Sequence, residues 1–487
     1  MEQEQPPDMR HGRWTEDWLA VALALLLFGF ALASAAGADL LGWVVTARLW
    51  KDLSASLAPV SARYASLPGW ASLVATYGFL LALLSAGAAL LGASVRRFAG
   101  AFTAVFGAAY LCWIAGNWAY IAATPDRTAA LGISWSLNLT PEAGFIIALA
   151  AGLLVGNLRP SWTERLREAV RPELYVKTAV VLLGGALGVT AAEQASLAAS
   201  LLFQGICAIL AAYLIFWSVV YYVARRWFGF SREWAAPLAS GISICGVSAA
   251  IATGAAIRAR PVVPVMVSSL VVVFAVVELL VLPFLAQAFL WSEPMVAGAW
   301  MGLAVKTDGA AVASGAIADA LIRAKAAATA GVRYQPDWIT AACVTVKVFI
   351  DAFIGVWAFL LAWIWTTRIQ ARPGQTVSAQ AVWERFPKFV LGYAATFLLV
   401  LGLVSAVPSL VPRLKAAMAE AGVFRGIFFV LTFFTIGMVS NFRKLRAEGI
   451  GRLALVYVVC LFGFIIWVAL AIAWIFFAGV RPPLVTS

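Results

Sequence analysis

Apolar stretches of about 16–29 residues follow one another along almost the whole chain, separated by short segments that hold most of the charge. Thirteen of them read as helical spans, at roughly 18–36, 70–92, 98–123, 142–157, 174–190, 197–223, 240–257, 262–288, 296–317, 338–366, 387–407, 424–441 and 450–478. Most are long enough to cross a hydrocarbon core of about 30 Å as a helix. They lack the ten-residue alternation of outer-membrane barrel strands. Small residues in "ALASAAGA" (31–38) could be read as a cleavage site. The preceding tail, however, carries Glu2, Glu4, Asp8, Glu16 and Asp17 against Arg10 and Arg13, and the apolar run is long, which favours an uncleaved helix. The segment 38–69, with Trp43, Trp50, Tyr64 and Pro68, reads as an interfacial excursion rather than a folded domain.

Composition agrees with the pattern. The 487 residues are 63% hydrophobic and 12% charged, with a mean hydropathy of +0.92, where a soluble domain is about 45–50% apolar and about 25% charged. The fold class is therefore an all-α polytopic membrane protein. A net charge of +12 resembles a nucleic-acid signal, but the basic residues sit mostly in short loops, where they set topology and meet anionic lipid. Starting inside, the chain places 19 of its 35 lysines and arginines in inner segments and 13 in outer ones, with Lys177, Lys306 and Lys347 inside spans. Arg159, Arg165, Arg167 and Arg171 share one inner loop; Arg443, Lys444, Arg446 and Arg452 share another. This bias predicts an inner N-terminus and an outer C-terminus. Cys112, Cys207, Cys245, Cys343 and Cys460 lie far apart in apolar runs and suggest neither disulfides nor a metal cluster. His11, in the polar tail, is the one histidine, which argues against haem ligation and histidine-dependent intramembrane catalysis.

Two segments carry polar groups that a lipid-facing helix would not. "SGISICGVSAAIATG" (240–254) combines Gly241, Gly246 and Gly254 with Ser243, Ser248 and Thr253. It is either a tight small-residue helix interface or a broken helix whose freed N–H groups and hydroxyls hold an anion. "GLAVKTDGAAVASG" (302–315) places Lys306 and Asp308 two residues apart. Each charge costs about 2.5–3.5 kcal/mol at the bilayer centre, and positions i and i+2 point apart on an unbroken helix. Either the helix opens, or the two charges face different partners. Lys347 and Asp351, at i and i+4, share one face of the next span. The four charges could be a static network joining two helices. Alternatively, Lys306 meets a bound anion while Asp308 or Asp351, with Lys347, serves ion coupling. Glu278, Lys177 and Asn117 read as bundle contacts or interface snorkelling, and the 21 tryptophans mostly as interface markers.

The last ten spans divide into 142–288 and 296–478, two sets of five that must run oppositely through the membrane. This is the arithmetic of an inverted repeat. "SICGVS" (243–248) and "FTIGMVS" (434–440), each in the fourth span of its set, echo one another.

The ordered motifs "LAAGLLVGN" (149–157), "SGISICGVSAAIATG", "GAWMGLAVKTDGAAVASG" (298–315) and "TIGMVSNFRKL" (435–445) resemble the YeiH-like family, named for sulfate export, over about 142 to 478. The family is similar in architecture to sodium/proton antiporters and bile-acid-type symporters. The resemblance implies a ten-helix 5+5 core in a bacterial cytoplasmic (inner) membrane, with two crossing discontinuous helices at Ser243–Ser248 and Thr435–Ser440. Taken with the reading of the buried charges above, this places candidate substrate contacts at Lys306, Thr307, Ser243, Gly246, Ser248, Thr435 and Ser440, and candidate ion coupling at Asp308, Lys347 and Asp351, of which Asp351 matches nothing obvious in the family pattern. The chain departs from the family pattern G-S-x-H-E-V-A-Q-V-V-A-A-G: Lys306 stands at the histidine, Thr307 at the glutamate and Ala310 at the glutamine. Ala186 replaces the arginine of a "GFRLT" segment, whereas Lys177 and Lys347 fall where the family has basic residues.

The expectation is a secondary active transporter of a small anion, sulfate-like or organic, coupled to Na⁺ or H⁺, with lipid around it, no cofactor, no nucleic acid and a possible homodimer. G-x-x-x-x-G-K-[ST] is absent, which argues against direct ATP coupling. A cation/proton antiporter on the same fold is the alternative, and a passive channel a third reading. Asp308 and Asp351 could be pictured as an aspartyl protease pair, but a lysine near each would keep both ionised and spoil a shared proton.

Overall fold

The computed structural model describes residues 14–123, 128, 131–137, 143–193, 205–246, 248–260, 262–369, 387–440 and 451–485. These are mostly helical. Nine helices among them are long and apolar enough to cross a membrane. They include α1 (Glu16–Ala35), α2 (Gly69–Leu90), α3 (Val95–Gly116), α6 (Gly205–Arg226), α9 (Val262–Phe289), α12 (Trp338–Ile364), α13 (Phe389–Ala406) and α15 (Gly451–Phe477); the ninth contains α14 (Val411–Val439). The apolar α4 (Ala143–Leu158) is shorter. The helix α5 (Pro172–Glu193) lies among α1, α13 and α14. Hydrocarbon offers no partner for backbone N–H and C=O, so apolar runs close these bonds within themselves as helices. Residues 38–69 carry strands β1 (Val45–Ala47) and β2 (Leu57–Pro59), paired antiparallel. The Thr76 hydroxyl accepts from Val45 N at 3.0 Å and seats this ribbon on α2.

Two of the thirteen expected spans do not cross. In place of 240–257 the chain forms α7 (Arg232–Ser243) and α8 (Ser248–Ala256) as the arms of a re-entrant hairpin. Thr253 on one arm donates to Ser240 on the other at 2.7 Å. At the mouth, Arg260 bonds Glu233 through its backbone N (2.8 Å) and Nε (3.0 Å), so both ends lie on one face. In place of 296–317 the chain forms α10 (Pro294–Ala304) and α11 (Asp308–Ala330). Cys343 on α12 donates to Ala311 O, and Lys325 reaches back to the end of α9 through Gln287 O at 3.0 Å. This second hairpin therefore opens at the face where α9 ends, opposite to the first. Exchanging two crossings for two re-entrant hairpins leaves the parity of the chain unchanged.

The expected break at Thr435–Ser440 is corrected. α14 runs unbroken to Val439; Thr435 Oγ1 donates to Leu431 O at 2.7 Å and Ser440 Oγ to Ile436 O at 2.8 Å. The second discontinuity lies at 305–307, in the first element of the later set rather than the fourth. The "TIGMVS" segment instead packs against "LAAGLLVGN". A Cβ at Gly437 would meet Leu149 O at 2.5 Å, one at Gly152 would meet Phe434 O at 2.0 Å, and Asn157 Nδ2 donates to Ser440 O at 2.9 Å. The remaining residues of that motif, 441–445, lie outside the described residues.

The helices sort into two bundles. α1–α5, α13 and α14 pack on one another; α6, both hairpins, α9, α12 and α15 pack on one another. The bundles meet principally where α11 lies on α5 and α14, and α9 on α14.

Candidate functional site

The two hairpin tips meet inside the second bundle. Helix α7 ends where Ile244 leaves helical geometry (φ −108°, ψ −81°), and α10 ends where Val305 becomes extended. Gly246 N donates to Lys306 O at 2.7 Å, joining tip to tip. A side chain at Gly246 would strike Val271 of α9 at 2.3 Å, so this close approach requires glycine. Thr307 caps α11, its hydroxyl accepting from Ala310 N at 3.3 Å.

The opening at 305–307 turns Lys306 and Asp308 in different directions. Lys306 is 1% exposed. Its backbone N donates to Glu278 Oε2 at 3.0 Å, its ammonium donates to Leu303 O, and the same ammonium lies 5.2 Å from the centre of the Phe216 ring. No carboxylate forms an ion pair with it among the described residues. Tyr457 donates to the other Glu278 oxygen at 2.6 Å, so α9, α15 and the second tip are tied through one carboxyl.

Asp308 opens α11 and points the other way. It accepts from Cys245 Sγ at 2.9 Å, and Lys347 Nζ lies 3.6 Å from it. The same ammonium lies 3.6 Å from Asp351 and donates to Ile244 O at 2.9 Å. The donor atoms of Cys245, Asp308 and Asp351 all fall within 4.8 Å of one another. Lys177, Asp308, Lys347 and Asp351 line a narrow cleft of about 10 Å³ between the bundles, walled by valines and Phe389. At its edge Lys177 pairs with Asp17 at 2.8 Å and Glu173 at 3.4 Å. A second cavity of about 570 Å³ lies nearer the opposite face, lined by Trp113, Ala186, Lys415 and Arg425. There both Arg425 end nitrogens bond Asp337 Oδ2 at 3.1 Å, linking the bundles.

The structure thus brings together Gly246, Lys306, Thr307, Asp308, Lys347 and Asp351 at or beside the tips. Ser243 ends α7, buried, with a hydroxyl that has no hydrogen-bond partner among the described residues. Ser248 opens α8; its side chain lies outside the described residues. Thr435 and Ser440 are spent on their own helix. The expected four-charge network is split, because Lys306 faces away from the other three. The sequence reading assigned no part in the site to Cys245, Glu278, Phe216 or Tyr457, and read Lys177 as snorkelling. The available signal was Glu278, a carboxylate inside an apolar run.

Residues 129–456 match the family model described as Conserved hypothetical protein 698. A UPF0324 membrane protein of Nitrosomonas europaea is 42% identical, covering 96% of this chain and 97% of that one. An uncharacterized protein of Archaeoglobus fulgidus is 50% identical over 30% of this chain and 91% of its own length. A UPF0324 membrane protein of Rhodopirellula baltica is 29% identical over 80% of this chain and 65% of its own. No solved structure matches.

Proposed function

The chain belongs to the Conserved hypothetical protein 698 family of membrane proteins, and on that footing we propose that it is a secondary active transporter of a small anion, not an enzyme. The observation that carries this reading is the meeting of two re-entrant hairpins from opposite faces, with the buried Lys306 ammonium at their junction and no carboxylate among the described residues paired to it. Unwound segments at depth occur where they line a cavity or are buried in protein. Ser243, with its spare hydroxyl, and the N-termini of α8 and α11 supply further donors for an anion. A sulfate-like oxyanion or small organic anion suits one ammonium and a few neutral donors. Asp308, Lys347 and Asp351 serve ion coupling, and the hairpin bundle moves against α5 and α14 to alternate access.

The protein resides in the bacterial cytoplasmic membrane with its N-terminus inside. The first hairpin supports that orientation by returning Arg258 and Arg260 to the α1 face, which turns 19 basic residues against 13 into 21 against 11. The alternative, a cation/proton antiporter, draws on the Cys245, Asp308 and Asp351 cluster. The two readings part at Lys306→Ala. Purified protein is screened by thermal shift against sulfate, sulfite, sulfonates, carboxylates, Na⁺ and Li⁺ at two pH values. An anion is expected to raise the unfolding midpoint, and Lys306→Ala to abolish that rise. Stabilisation by a cation alone, retained in Lys306→Ala, would establish the antiporter.

A further inference from the structure

We propose that Lys347 occupies the place of a coupling cation between Asp308 and Asp351, that this site therefore takes a proton rather than Na⁺, and that Asp351 is the carboxylate that carries it. This rests on the transporter reading above and names its coupling ion. Three oxygen or sulfur donors within 4.8 Å of one another would otherwise make a cation pocket. The Lys347 ammonium already stands 3.6 Å from each aspartate, anchored to Ile244 O at 2.9 Å. Its stem is held in α12, so this positive charge cannot diffuse away as a metal ion would.

The two aspartates are not equivalent. Asp308 sits in the first turn of α11, where the helix dipole favours negative charge, and it receives the Cys245 thiol at 2.9 Å. Asp351 has neither support. It lies one residue before the end of the first helical stretch of α12, where the dipole opposes negative charge. It is 1% exposed, and neither oxygen has a hydrogen-bond donor among the described residues. A buried carboxylate without donors is costly to keep charged, so a proton has most to contribute there.

The surroundings supply a counter-charge and room for a proton donor. Facing Asp351 are Lys347 from its own helix, Asp308 from α11 and Cys245 from the first tip. Tyr213 of α6 donates to the adjoining Ile350 O at 2.6 Å. Across the cleft is Lys177 of α5, which pairs with Glu173 of its own helix and with Asp17 of α1. The cleft has room for about one water molecule, with Lys177 on one wall and Asp351 on the other. The proton would leave a water in the cleft and bind an Asp351 oxygen. Lys347 would then be left to Asp308 alone.

The test uses the full-length protein in lipid nanodiscs. Infrared difference spectra across a pH titration read the protonated-carboxyl C=O stretch. The expected band is lost in Asp351→Asn and retained in Asp308→Asn; the reverse pattern overturns the assignment of the proton. In parallel, Na⁺ and Li⁺ are titrated against choline at constant ionic strength while the unfolding midpoint is followed. The wild type is expected to show no cation-specific rise and Lys347→Gln to acquire one. A Na⁺-specific rise in the wild type that either asparagine variant abolishes overturns the lysine's role. Should Lys347→Gln fail to fold, the wild-type titration and the two asparagine variants decide alone. Neither readout requires a transported substrate, so its outcome is separable from that of the anion screen.

Discussion

Glu278 shows how one side chain can hold a break in place. Each of its oxygens serves a different element, one taking the Lys306 amide and the other the Tyr457 hydroxyl. Removing one partner of a buried hydrogen bond leaves the other unsatisfied, at about 1–3 kcal/mol. Tyr457→Phe is therefore expected to lower stability by about 1–3 kcal/mol, read as the denaturation midpoint in detergent. Glu278→Leu is expected to cost more, because it strands both donors; equal losses would mean that the carboxyl does not hold the tip. Lys306 and Asp308 were legible in the sequence as charges in an apolar run. Their separation was legible only as two options, an open helix or different partners, and the structure uses both. Cys245 and Tyr457 gave no comparable warning, since a cysteine or tyrosine in a span is compatible with ordinary packing.

At the scale of elements, a hairpin and a crossing helix have nearly the same composition. Residues 232–256 amount to two short arms and 294–330 to a short arm and a long one, and hydropathy does not register that the chain turns back. Accessibility does. A cysteine at Arg258 and one at Ser231 are expected to react with a membrane-impermeant maleimide from the same face; labelling from opposite faces would restore a crossing at 240–257. The "LAAGLLVGN" and "TIGMVS" motifs were correctly singled out, but their glycines serve backbone contact between α4 and α14 rather than a break. Gly152→Ala places a methyl 2.0 Å from Phe434 O. Overpacking of this kind costs about 1–3 kcal/mol, and a lowered unfolding midpoint with anion binding retained is the expected result.

Across the whole molecule, the seam between the bundles contains both cavities. The narrow cleft and the larger outer cavity lie along it, and Arg425–Asp337 clasps it near one end. The proposed motion of the bundles makes Val180 on α5 and Val348 on α12, which both line the cleft, useful reporters. A disulfide between cysteines at these positions is expected to stop uptake into proteoliposomes and reduction to restore it. Flux that persists in the oxidised protein would favour a channel or a fixed seam.

The sequence by itself determined that the chain is a helical, multi-pass membrane protein, because burying backbone in hydrocarbon leaves few alternatives to apolar helices. It also located the two polar segments, because charge and small polar residues are conspicuous where lipid penalises them. Tertiary structure alone decided that these segments are re-entrant tips touching at Gly246 and Lys306, and that Lys347 stands between two aspartates. Those facts depend on which faces and tips pack together, and packing between distant elements leaves no periodicity in a single chain.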